Sequence, residues 1–74
     1  MKAILEFNLS EERTQFDEAI NGFKWASLAW DIDQHLRAKT KYASDDMPDE
    51  VYKALQEVRD YLHDEMRDLG LQFE

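Results

Sequence analysis

The sequence contains no cysteine, one proline and two glycines in 74 residues. Without cysteine the chain can form neither a disulfide nor a thiolate metal site. A glycine-rich phosphate-binding loop is also excluded, because Gly22 and Gly70 are far apart in the sequence. A chain of this length is expected to form a single domain, residues 1–74.

Histidine is equally scarce, since His35 and His63 are the only two. Neither belongs to a helical motif with paired metal ligands, and the serines lack the sequence context of an activated nucleophile. Each histidine has acidic neighbours and is predicted to form a surface ion pair. Asp33 and Arg37 are four residues apart and are predicted to form an ion pair along one helix. The sequence therefore predicts no catalytic residue, no metal and no cofactor, and we expect a protein that is not an enzyme.

Long apolar runs are missing as well. No segment approaches the roughly 20 apolar residues that span a bilayer. The apolar start of the chain is short, Glu6 interrupts it, and it has no features of a secretory signal. We therefore expect a soluble, cytoplasmic protein with no membrane association.

Basic residues are outnumbered. Nine lysines and arginines face 17 aspartates and glutamates, which gives a net charge of −8. This charge disfavours direct binding to nucleic acid and permits contact with the basic surface of a partner protein.

The alternation of apolar and polar residues over 2–9 predicts a strand with one buried face. Ser10 is predicted as the N-cap of a short first helix, which Asn21 and a left-handed Gly22 would end. Residues 71–74 alternate again and predict a short last strand. We expect an α+β fold that is mainly helical, in the order β-α-α-α-β, with a minimal two-stranded sheet pairing the termini.

Helical spacing of apolar residues predicts a second helix over about 23–42 and a third that ends near Leu69, before Gly70. The second helix carries two apolar stripes, which are Trp25, Leu28, Ala29, Ile32 and Leu36 on one line and Phe23, Ala26 and Trp30 on the other. Either both stripes pack within the monomer, or one meets a ligand or another subunit. Because so short a chain has few elements to cover both, a homodimer or higher oligomer is expected.

The segment 35–42 is basic and contains no acid. One interpretation is that its cations complement the dipole at the C-terminus of the second helix. The other is an anion pocket for a small phosphorylated ligand, since an aromatic plane and a guanidinium suit a nucleotide. The candidate ligand-binding residues are Trp30, Arg37, Lys39, Lys41 and Tyr42.

The third predicted helix is acidic. Its candidate partner-binding residues are Glu57, Asp60, Asp64 and Asp68. Spaced carboxylates could contact a basic protein surface or imitate the phosphates of DNA. The simpler interpretation is a solvated helix face.

Three segments, KAILEFNLSEE at 2–12, AWDIDQHLR at 29–37 and KY at 41–42, resemble a group of small acidic proteins encoded by tailed bacteriophages. Most of that group has no assigned function. The resemblance implies a phage accessory protein in the bacterial cytoplasm that binds and inhibits or modulates a host or anti-phage defence protein. The resemblance also implies an alternative, a sponge that sequesters a small phosphorylated or cyclic nucleotide. A further alternative, suggested by the acidic third helix, is a protein that mimics DNA.

Overall fold

The computed structural model describes residues 1–73, which form three helices. These are α1 (Arg13–Ile20), α2 (Gly22–Lys41) and α3 (Asp49–Asp68). Residues 1–73 contain no strand, so the predicted β-α-α-α-β fold with a two-stranded sheet is wrong. Glu74, the last residue of the second predicted strand, lies outside the described residues.

The first predicted strand fails because no neighbouring strand pairs with it, and an unpaired strand leaves its backbone groups without partners. Ile4 and Leu5 are exposed instead of buried. Only Phe7 is partly buried in this segment, with its ring 5.8 Å from that of Phe16 on α1. This edge-to-face contact packs the N-terminal segment against the first helix.

The turn before α1 is organised by Asn8, not by the predicted cap Ser10. The Asn8 Oδ1 atom accepts hydrogen bonds from the backbone N–H and the hydroxyl of Ser10, at 3.2 and 2.7 Å. The Glu12 carboxylate in turn accepts from the Asn8 N–H at 3.0 Å. These bonds set the start of α1 two residues later than a Ser10 cap would place it.

The two long helices follow the predictions closely. Gly22 begins α2, however, and does not adopt the left-handed conformation that was expected of it. Gly70 does adopt it, with φ at 72°, and ends α3 as predicted. The N–H of Leu71 donates to the carbonyl of Met66 at 2.8 Å, and the N–H of Gly70 donates to the carbonyl of Arg67 at 3.0 Å. This is a Schellman motif, which turns the chain back after the helix.

The second and third helices form an antiparallel hairpin joined by residues 42–48. The Schellman turn sends Phe73 back over this hairpin, where its ring lies 5.2 Å from Trp30 and 6.0 Å from the His63 imidazole. The start of α2 and the end of α3 therefore lie at the same end of the molecule.

The chain is elongated, with a radius of gyration of 17.5 Å and dimensions of 55 × 28 × 19 Å. A compact domain of this length would have a radius of gyration of about 11 Å. Among the described residues, Leu36 is the only apolar side chain that is buried. The hairpin therefore has little core of its own. Within residues 1–73, no helix has both the length and the apolar character needed to cross a membrane.

Candidate functional site

The most prominent feature of the surface is a row of large apolar side chains along one side of the α2–α3 hairpin. We call it the apolar face, and it comprises Trp25, Leu28 and Ile32 on α2, Val51, Val58 and Tyr61 on α3, and Leu69 directly after α3. Their exposure ranges from 44 to 71%. Patches of this kind on a small protein mark a binding surface more often than single exposed apolar residues do.

Helix geometry places the two halves of this face on the same side. On α2 the residues Trp25, Ala29, Ile32 and Leu36 follow alternating steps of four and three, which is the heptad spacing of a helix that packs against other helices. On α3 the same steps join Val51, Leu55, Val58, Leu62 and, two steps on, Leu69. Because α2 and α3 are antiparallel, the exposed residues of the two lines lie on the same side of the hairpin.

Burial alternates along both heptad lines. On α2, Leu36 is buried and Ala29 is partly buried, whereas Ile32 and Trp25 are exposed. On α3, Leu55 and Leu62 are partly buried between the helices, whereas their neighbours in the same line are exposed. The intramolecular contact therefore covers about half of each line and leaves the other half in water.

The charges on the apolar face are few and balanced. The heptad line of α2 continues to Lys39, and that of α3 passes through Glu65. These side chains are of opposite sign and lie toward opposite ends of the hairpin. The excess negative charge of the chain thus lies largely off this face.

A polar cluster joins the two helices between their apolar lines. The Asp33 side chain of α2 is only 3% exposed. Its Oδ1 atom accepts from Arg59 Nε at 2.9 Å and lies 2.5 Å from His63 Nε2. Its Oδ2 atom accepts from Gln34 Nε2 at 3.1 Å, with Arg59 Nη2 at 3.5 Å.

This environment keeps Asp33 ionised. Burial raises the pKa of the carboxyl group, but the hydrogen bonds and charges of Arg59 and His63 outweigh it, so the pKa lies below its ordinary value. The same pair raises the pKa of Arg59 above its ordinary value, chiefly through the hydrogen bond to Asp33. A charge-assisted pair of this kind fixes which turn of α2 meets which turn of α3.

Sequence reasoning missed this cluster. It paired Asp33 with Arg37 and His63 with its own acidic neighbours, whereas the Asp33 carboxylate reaches across to Arg59 and His63. A signal was present, because Asp33 and Arg59 each interrupt the inner, apolar side of a helix with opposite charge.

The cluster could orient a proton-transfer group, because the Asp33 carboxylate holds the His63 imidazole. Among residues 1–73, however, no hydroxyl or thiol is hydrogen-bonded to His63, and its ring contacts Phe73. Within the described part of the chain, no group of three or more His, Cys, Asp or Glu side chains could hold a metal ion. The geometry of this cluster is that of a structural link between helices.

The predicted ligand-binding residues are not gathered into one pocket. A surface cavity of about 390 Å³ beside Trp30 is lined otherwise by Ala26, Ser27, Gln72 and Phe73, and by none of the predicted cations. Lys39 lies on a different side of α2 from Arg37 and Lys41. The Lys41 ammonium lies 5.5 Å from the centre of the Tyr42 ring, at the end of the helix.

The predicted partner-binding carboxylates are all exposed on α3, and they are Glu57, Asp60, Asp64 and Asp68. Two of them accept hydrogen bonds from side chains of the same helix. Asp60 accepts from Gln56 at 3.2 Å, and Asp64 accepts from Arg67 at 2.7 Å. These carboxylates therefore form an exposed acidic margin beside the apolar face.

A comparison of the chain with known protein families, with characterised proteins and with solved structures finds no match.

Proposed function

We propose that this chain is a non-catalytic protein-interaction module that acts by packing the apolar face of its α2–α3 hairpin against another polypeptide. The observation that supports this proposal is the exposure of that face in a chain with almost no buried core. Apolar side chains gain roughly 25 cal/mol for each Å² removed from water, so a partner that covers the face stabilises the fold as it binds.

The acidic margin of α3 makes this interaction selective for a partner with a basic surface. A partner with basic residues beside its own apolar patch would meet carboxylates at the rim of the contact, which favours fast association and exclusion of acidic competitors. Rim charges are screened by salt, so association should slow as the ionic strength rises.

A narrower form of the proposal makes the partner a host or anti-phage defence protein that the chain inhibits or modulates. Its support is the resemblance to small phage-encoded proteins, together with the acidic surface. In this form the chain acts by occupying a surface, which requires no catalytic group.

Incorporation of a photo-crosslinking phenylalanine analogue at Tyr61 tests the proposal. Tyr61 belongs to the apolar face and is 66% exposed, whereas Tyr42, at 73%, lies outside it and is the matched control. We expect discrete polypeptide adducts in cells from the Tyr61 position and few from Tyr42. Equal labelling from both positions, or none from Tyr61 in a folded chain, would contradict the proposal.

A further inference from the structure

We propose that the polypeptide that covers the apolar face is a second copy of this chain, and that two hairpins pack face to face as an antiparallel four-helix bundle. This inference rests on the proposed function, because it names the partner for the same face.

The helix pattern is that of half a bundle. α2 and α3 are 20 residues each, and an antiparallel pair of equal helices is the repeating unit of up-down bundles. In such a bundle each helix contacts two neighbours, so alternate positions of its heptad line face different neighbours. Leu36 is buried and Leu62 is partly buried within the chain, whereas Ile32 and Val58, which alternate with them in the same lines, are about half exposed.

The area is suitable for a specific contact. The seven side chains of the apolar face leave several hundred Å² of apolar surface in water. This approaches the roughly 800 Å² that each partner contributes to a standard protein interface. A two-fold symmetric contact covers the apolar faces of both copies at once and leaves neither patch open.

The charge distribution permits self-association in spite of the net charge of −8. The apolar face carries Lys39 and Glu65, which balance each other, so two such faces do not repel when they meet. Glu57 borders the face beside Val58 and Tyr61. Lys24 borders it beside Trp25 and Leu28, so these two charges are also of opposite sign. The rest of the acidic margin of α3 lies outside the contact. A dimer would therefore carry two acidic margins outward, available to a basic partner.

Sedimentation equilibrium of the wild-type chain over a wide concentration range tests the inference. We expect a species of twice 8.8 kDa that dissociates on dilution, with loss of helical circular dichroism accompanying dissociation. A folded chain that stays at 8.8 kDa at every concentration would overturn the inference.

Single-cysteine variants locate the contact, and the absence of native cysteine keeps them free of background. We expect Ile32→Cys or Val58→Cys, treated with a bifunctional thiol reagent at low concentration, to give covalent dimers. Lys53→Cys, on α3 but off the apolar face, is the control and should give few. Dimers formed equally by the control would contradict a contact through this face.

These results separate the inference from the proposed function. A monomeric chain whose Tyr61 position still yields adducts with a different protein overturns the homodimer and leaves the interaction module in place. A monomeric, folded chain with no adducts at Tyr61 overturns both.

Discussion

Replacement of Ile32 by glutamate is expected to lower the melting temperature by more than about 10 °C, because it removes roughly 3 kcal/mol of apolar burial and places a charge in a covered contact. In the isolated chain Ile32 is 45% exposed, so nearly half of its side chain is in water. If the face stayed in water, the same change would remove only the burial that the single chain itself gives Ile32, and we expect a loss of about 1 kcal/mol, or roughly 5 °C. Thermal unfolding followed by circular dichroism distinguishes these values.

Ala38→Glu is the matched control for that experiment. Ala38 is exposed, lies on the same helix and falls on a different side from Ile32. It receives the same charge in the last turn of α2, where the helix dipole makes a negative charge cost up to about 1 kcal/mol, so its melting temperature should fall much less than that of Ile32→Glu. If both variants unfolded alike, the effect would belong to the added charge and not to the apolar face.

Asp33→Asn is the second substitution with a large expected effect. It keeps the shape of the side chain but removes the charge that pairs with Arg59 and His63. Hydrogen bonds to charged groups contribute about 2 kcal/mol, so we expect a loss of roughly 10 °C in melting temperature at neutral pH. Asp31→Asn makes the same change in charge two residues away, at an exposed position, and it should leave the melting temperature nearly unchanged.

The pH dependence of the stability difference between wild type and Asp33→Asn tests whether the charge of Asp33 is responsible. Because the pKa of Asp33 is lowered in the folded chain, its stabilising contribution is complete above the ordinary aspartate pKa of about 3.9 and is lost as the pH falls through the lower, folded value. The difference in stability between wild type and Asp33→Asn should therefore be present at about pH 5 and shrink below about pH 4. A difference that persisted unchanged at pH 2 would show that Asp33 acts through packing and not through its charge.

The helical part of the fold could be predicted from the sequence because its signals are local. The spacing of Val51, Leu55, Val58 and Leu62 specifies one helix side, and Gly70 supplies the left-handed residue that ends it. The same kind of local signal misled at the N-terminus. An alternating pattern over 2–9 suits a strand, but whether a strand forms depends on a partner strand, and the described chain supplies none.

The Asp33 cluster could not be predicted by local spacing because its members come from two helices. Arg37, one turn away on α2, is the nearest basic residue in sequence, whereas Arg59 is 26 residues away. The choice between them depends on how α2 and α3 are aligned, and nothing in either helix alone fixes that alignment. The sequence left open whether both apolar stripes of α2 pack within the chain. Members of both stripes are exposed in the described structure, and they are Phe23, Trp25, Leu28, Trp30 and Ile32.

The chain contains two tryptophans on different sides of α2, which makes quenching by acrylamide the most direct measurement of whether the apolar face is covered. A Trp30→Phe variant leaves Trp25, 64% exposed in the single chain, as the only fluorophore, and Trp25→Phe leaves Trp30 as the reference. We expect Trp25 to be shielded from acrylamide at concentrations where the protein is folded, and to become accessible on dilution. A folded, stable chain in which Trp25 is quenched as freely as tryptophan in solution at every concentration would contradict the account.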